Sequence, residues 1–234
     1  MSVLSTVYGG YSGWSHQTAP SNNYQTREVL LYGSILDADL ENLHLRLKGL
    51  CDPGMVHFHE HEMVLSLRTG SDPGVSVRLR RHYRDKDTSN TQNMWHMRYV
   101  GAPEHDDTCP AIVRKCIDSL LTTPPDTNMM DFVKSLGLRM DFEYMAKGCL
   151  YTKSAIKVII ERLEKTDKPG TYSDSELKAF SDSHLVTMTF SVPENGDYKS
   201  GAKYLREFAD QLVPLTCMEK VDYWIKKNKK PAHT

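Results

Sequence analysis

L-R-M-D-F-E-Y, from Leu138 to Tyr144, sets an apolar side chain at every second position: Leu138, Met140, Phe142 and Tyr144, continued by Ala146, alternate with Arg139, Asp141, Glu143 and, further on, Lys147. Successive side chains of a β-strand point to opposite faces, so this spacing predicts a strand with one apolar side. The same period recurs on both flanks. Val75, Val77 and Leu79 alternate with Ser76, Arg78 and Arg80; Trp95, Met97 and Tyr99 with His96 and Arg98; Val186, Met188, Phe190 and Val192 with Thr187, Thr189 and Ser191. Ile156, Val158 and Ile160 add a strand that hairpins onto Phe142–Tyr151 through a turn near Lys153-Ser154. Many antiparallel-type strands with few crossover helices close most easily into a barrel. The expected fold is mainly β (α+β): a multistranded antiparallel β-barrel with a few flanking helices.

The helices are read from spacing and punctuation. After a first strand over Glu28–Leu36, Asp37 and Asp39 bring negative charge to a helix N-terminus, and Leu40, Leu43, Leu47 and Leu50 form one apolar face. Cys51-Asp52-Pro53-Gly54 ends that helix with turn chemistry. Ile112, Val113, Cys116, Ile117 and Leu120 predict a second helix; Phe132, Val133 and Leu136, closed by Gly137, a third; Gly201–Leu215 a fourth. Glu164–Asp182, charged and interrupted by Pro and Gly, reads as a long exposed loop.

The chain has 234 residues, 39% apolar and 25% charged, the proportions of an ordinary globular protein. One domain is expected over 27–225. Residues 1–26 contain no Asp, Glu, Lys or Arg and too few periodic apolar residues to order, which predicts a disordered N-terminal tail. Residues 226–234 form a Lys-rich C-terminal tail around K-K-N-K-K. The longest apolar run, Val29-Leu30-Leu31-Tyr32, falls far short of the roughly 20 residues that span a bilayer, and the N-terminus lacks the pattern of a secretory signal, so no membrane association is expected. The five cysteines (Cys51, Cys109, Cys116, Cys149, Cys217) make no C-x-x-C pair, which argues against a disulfide framework or a cysteine-ligated zinc site. Setting aside Lys226, Lys227, Lys229 and Lys230, 25 basic residues face 30 acidic ones, and the body carries about five negative charges. A body of that sign is a poor match for a polyphosphate backbone, so direct sequence-specific nucleic-acid binding is not expected.

Two constellations carry possible chemistry. In H-F-H-E-H-E, His57, His59 and His61 share a strand face and have the residue type for zinc, nickel or copper. Met63, Leu65 and Leu67 follow on the same parity, which makes the histidines the accessible end of a strand that enters the core. The opposite face offers Glu60 and Glu62, with Arg78, Arg80, Arg81 and Arg84 on the next strand. Carboxylates facing arginines in a barrel resemble how triphosphate tunnel metalloenzymes hold a metal-chelated triphosphate. Their strand motif is Glu-x-Glu-x-Lys, and here Val64 stands in the lysine's place. Cross-strand ion pairing is the competing account of the same residues. No G-x-S-x-G, H-E-x-x-H or glycine-rich phosphate loop is present, so no catalytic residue is assigned.

Read end to end, the chain resembles the Mediator subunit 18 family. The resemblance is carried, in order, by L-L-Y-G-S-I-L-D (Leu30–Asp37) running into L-E-N-L…R-L-K-G-L-C-D (Leu40–Asp52), E-H-E-M-V (Glu60–Val64), W-H-M-R-Y-V-G (Trp95–Gly101), I-V-R-K-C-I-D (Ile112–Asp118), L-G-L-R-M-D-F-E-Y-M-A-K-G (Leu136–Gly148) and F-A-D-Q-L-V-P-L…M-E-K-V-D (Phe208–Asp222). It implies a nuclear, non-enzymatic subunit of the Mediator head module, a coactivator assembly that links regulatory factors to RNA polymerase II and transcription initiation. It further implies a barrel related in shape to the triphosphate tunnel enzymes, no cofactor, pairing with Mediator subunit 20, and contact with the C-terminal helix of Mediator subunit 8 and other head subunits. The alternative is a metal-dependent triphosphate-hydrolysing tunnel enzyme with Glu60 and Glu62 as metal ligands. Partner-binding residues are not assigned, but a scaffold barrel is expected to leave outer apolar side chains under-buried when alone.

Overall fold

The computed structural model describes residues 25–67, 75–83, 93–123, 128–168, 172–173 and 175–221. Among the described residues nine strands follow one another: β1 (Gln25–Leu36), β2 (Val56–Leu67), β3 (Val75–His82), β4 (Asn93–Pro103), β5 (Ile112–Thr123), β6 (Arg139–Lys153), β7 (Ile156–Thr166), β8 (Leu177–Ala179) and β9 (Ser183–Pro193). All neighbouring pairs are antiparallel, in the order β6-β2-β3-β4-β5-β1-β9-β7, and a β6–β7 ladder closes the ring. The expected barrel is therefore present, with eight strands in the closed ring and β8 attached outside it along the end of β7. The β6–β7 hairpin turns where expected: Ser154 takes φ 53° and its amide donates to Asp52 Oδ2 at 2.6 Å.

Among the described residues three helices lie on the outer wall: α1 (Leu40–Leu50), preceded by a 3-10 turn at Asp37–Asp39, α2 (Met129–Ser135) and α3 (Tyr198–Asp210). Leu43 and Leu47 of α1, with Leu205, Phe208 and Ala209 of α3, bury against Val29, Leu31, Val158, Ile160, Val186 and Met188, the outward parity of β1, β7 and β9. Gly201 lets α3 sit close, since a Cβ there would come within 2.4 Å of the Phe190 ring. A second cluster joins Met129 and Val133 of α2 to Met63, Leu65, Val77, Leu79 and Trp95 of β2, β3 and β4. The apolar parity of most strands thus faces out, beneath the helices, and the polar parity faces in.

Several boundaries and one element differ from expectation. Residues 112–120 form strand β5, not a helix. Their apolar spacing fits both periods, but Arg114, Cys116 and Asp118 alternate inward while β4 and β1 pair on either side. Ile117 and Leu120, which would complete the helical face, are 40% and 68% exposed. The expected 164–182 loop is shortened at both ends, since β7 runs to Thr166 and β8 pairs with it. Strand β1 starts at Gln25, two residues before the expected start of the domain at residue 27. Helix α3 ends at Asp210, short of Leu215. Residues 1–24, Arg84, the polar linker 85–91 and the Lys-rich tail lie outside the described residues.

Candidate functional site: a self-neutralised lumen and an outer wall

Directly paired residues of antiparallel strands share a face, so the register names the lumen. Tyr144, Glu62, Arg80 and His96 stand side by side across β6, β2, β3 and β4, and Val64, Arg78, Arg98 and Asp118 form the next row through β5. Around Glu62, only 1% exposed at its side chain, every acceptor direction is used. Arg78 Nη1 donates to Oε1 at 3.1 Å, the Tyr144 hydroxyl to Oε1 at 2.6 Å, and Arg80 Nε to Oε2 at 2.8 Å. Arg80 Nη1 also lies 3.2 Å from Glu60 Oε2. Burial pushes the Glu62 carboxyl up, but Arg80, Arg78 and the Tyr144 hydroxyl overcome it and hold the group down to about 2. Glu161, from β7 across the lumen, is pushed up to about 7, by burial first and also by Glu62 and Glu60, with Arg80 opposing.

A second charged layer surrounds Glu28. Arg98 Nη2 is 3.0 Å from its Oε1, Arg114 Nε 3.5 Å from its Oε2, and Cys116 Sγ 3.8 Å from Oε2. Asp118 lies 3.3 Å from Arg98 Nε and 3.0 Å from His96 Nε2. Lys157 of β7 faces this layer and is pushed down to about 8, by burial first and then by Arg98, with Glu28 opposing. In the two layers cations match carboxylates one for one: Arg78, Arg80, Arg98, Arg114 and Lys157 against Glu28, Glu60, Glu62, Asp118 and Glu161.

The structure brings Glu60, Glu62, Arg78 and Arg80 together, as the strand parities required. Arg81 turns to the outer face, where its guanidinium stacks 4.7 Å from the centre of the Trp95 ring. The three histidines separate. His57 is exposed and His59 half-buried, whereas His61, 2% exposed, is enclosed by Tyr172 and by Glu143, whose Oε2 lies 2.9 Å from its Nε2. His61 is thus not an accessible strand end, and burial lowers its proton affinity. Among the described residues no three His, Cys, Asp or Glu side chains are grouped to hold a metal. Glu28, Arg114 and Asp118 were not picked out as site residues from sequence, nor were Lys157 and Glu161. The available signal was a charge on the inward parity of an otherwise apolar strand, as in E-V-L-L and I-K-V-I-I-E.

On the outer wall, large apolar side chains remain uncovered on each helix: Leu45 of α1 (59% exposed), Leu136 just after α2 (45%) and Tyr204 of α3 (40%). Met140 of β6 is also exposed on this side, beside an irregularity in the β2–β6 register at Val64/Leu65, whereas Phe142, 55% exposed, pairs with Val64 and shares the lumen parity.

These features define a class: a closed antiparallel barrel whose lumen is filled by its own ion pairs and whose apolar surface lies outside. The chain belongs to the family described as Med18 protein, whose sequence profile matches residues 27–225. It is 49% identical over 208 residues to "Mediator of RNA polymerase II transcription subunit 18" of Caenorhabditis elegans, covering 88% of each chain. It is 36% identical over 197 residues to the protein of the same name from Danio rerio, covering 83% of this chain and 88% of that one. A chain in the structure of the Schizosaccharomyces pombe Mediator head module shares the fold, with a TM-score of 0.67 over 83% of this chain and 98% of that chain at 17% identity.

Proposed function

We propose that this chain is a non-enzymatic scaffold subunit of the Mediator head module, acting in the nucleus through protein–protein contacts that help link regulatory factors to RNA polymerase II. Family membership supports the Mediator assignment, and one observation supports the absence of turnover: the lumen is already neutralised. A triphosphate needs unpaired cations, and a metal needs free carboxylate oxygens. Arg78 and Arg80 are committed to Glu60 and Glu62, both Glu62 oxygens are hydrogen-bonded, and Val64 offers no charge. The residues present do not fit a metal–triphosphate complex.

The proposed partners are Mediator subunit 20, as a heterodimer, the C-terminal helix of Mediator subunit 8, and other head subunits. The exposed apolar side chains on the helices fit docking on the outer wall, where an apolar stripe can be buried against a partner helix or a second barrel. Affinity purification of the tagged chain from nuclear extract at about 0.3 M salt, which screens exposed charges beyond roughly 6 Å, followed by mass spectrometry, tests this. Near-equal recovery of subunits 8 and 20 is expected; recovery of the chain alone contradicts it. Phosphate release from tripolyphosphate with Mg²⁺ or Mn²⁺, abolished by joint substitution of Glu60 and Glu62, would restore the enzyme reading.

A further inference from the structure

An open groove of about 820 Å³ runs along the outer face where α1 meets β2, β6 and β7. Thirteen residues line it, and five are histidines, half of the ten in the chain: His44, His57, His59, His82 and His184. Random placement would put fewer than one there, so the concentration calls for a physical reading. Metal binding is the first to test and does not fit, since the described residues hold no group of three ligands near enough to one another. The fixed charges are few. Lys147 of β6 is exposed and has no carboxylate partner among the described residues, Glu164 of β7 stands opposite in sign, and Arg162 of β7 is held by Asp37 at 2.8 Å. Asp37 also takes His184 Nδ1 at 3.0 Å, while His44 Nδ1 meets the Tyr151 hydroxyl at 2.8 Å and Cys149 Sγ at 3.9 Å. His57 and His82 project freely into solvent at the rim.

We propose that this groove docks a carboxylate-rich segment of a partner protein and takes up protons as it does so. Imidazole is the side chain whose charge changes nearest neutrality, and a carboxylate placed among several imidazoles favours their charged forms. Binding and protonation are reciprocal, so affinity rises as pH falls through the histidine range. The body as a whole carries about five negative charges and repels an acidic segment, which favours this groove over other surfaces. Burial holds down the proton affinity of His44, with Glu41 opposing and Lys48, His184 and His57 adding to the fall. The inference supplies a partner chemistry for the scaffold reading and rests on it.

Fluorescence anisotropy of a labelled nona-glutamate peptide with the full chain, near pH 6 and near pH 7.5, tests it. The expected affinity is about tenfold weaker at the higher pH, one proton's worth of coupling. H57Q combined with H82Q, at two exposed positions, is expected to flatten the pH dependence with an unchanged melting curve, and Lys147→Glu to weaken binding at both pH values. Equal affinity at the two pH values overturns the proposal. So does loss of binding when Lys226, Lys227, Lys229 and Lys230 are changed to glutamine, or tighter binding of a single-stranded oligonucleotide of equal charge. The probe binds the isolated chain, so a failure here leaves the co-purification test of the scaffold reading untouched.

Discussion

Replacing Glu62 by alanine is expected to destabilise the barrel by about 3 kcal/mol at pH 7. The wild-type carboxylate is 1% exposed and receives hydrogen bonds from Arg78, Arg80 and Tyr144, so its removal leaves two inward-facing guanidiniums short of an acceptor. Its proton affinity gives the magnitude independently. A fall from 4.5 to about 2, at about 1.4 kcal/mol for each pH unit, is worth about 3 kcal/mol. Breaking a buried pair by removing one partner costs about 3–5 kcal/mol in general. With a urea slope of about 2 kcal/mol per molar, the unfolding midpoint falls by about 1.5 M. The sign with pH follows from the depressed value. The group's stabilisation is complete above 4.5 and is lost as pH falls toward about 2, so variant and wild type converge in acid. Urea titration followed by tryptophan fluorescence at pH 7 and pH 2.5 reads both. A midpoint shift below about 0.3 M at pH 7, or a gap undiminished at pH 2.5, refutes the account of the lumen as an ion-pair core.

The two lumen groups displaced toward neutrality give opposite slopes. Glu161, raised from 4.5 to about 7, makes stability fall as pH rises between those values; Lys157, lowered from 10.5 to about 8, makes it rise again between about 8 and 10.5. Chemical denaturation across pH should therefore show a minimum near pH 7–8, and Glu161→Gln should raise stability at pH 8 while leaving pH 4 unchanged. Gly201→Val drives a side chain into the Phe190 ring and is expected to cost about 2 kcal/mol by overpacking, read as a lower urea midpoint. Leu205→Ala, which empties a fully buried position between α3 and the barrel wall, should cost about 3 kcal/mol in the same titration.

The barrel was legible because period-two alternation survives in β3, β4, β7 and β9 whichever face is apolar. What alternation could not convey was which parity points inward. In W-H-M-R-Y the natural assumption sends Trp95 and Met97 to the interior; the structure sends them out, under α2, and turns His96 and Arg98 into the lumen. Helices on the outside supply the apolar partner that a lumen usually would. Residues 112–120 misled because Ile112, Val113, Cys116, Ile117 and Leu120 satisfy a helical period by chance, and the strand is fixed by the ladders to β1 and β4, which are invisible locally. Glu60 and Glu62 were found because two carboxylates alternate within one strand. Glu28 and Glu161 stand singly in apolar strands, and their partners come from strands distant in sequence.

The account's central claim is that this barrel works through its outer wall as a stoichiometric part of the head module. The most direct measurement is size-exclusion chromatography of the chain mixed with a recombinant head module lacking this subunit, at about 0.3 M salt, with fractions quantified by subunit. The account predicts co-elution at one copy per module, unchanged by Glu60→Gln in the lumen. Elution of the chain as a free monomer, or an assembly that depends on the lumen residue, would contradict it.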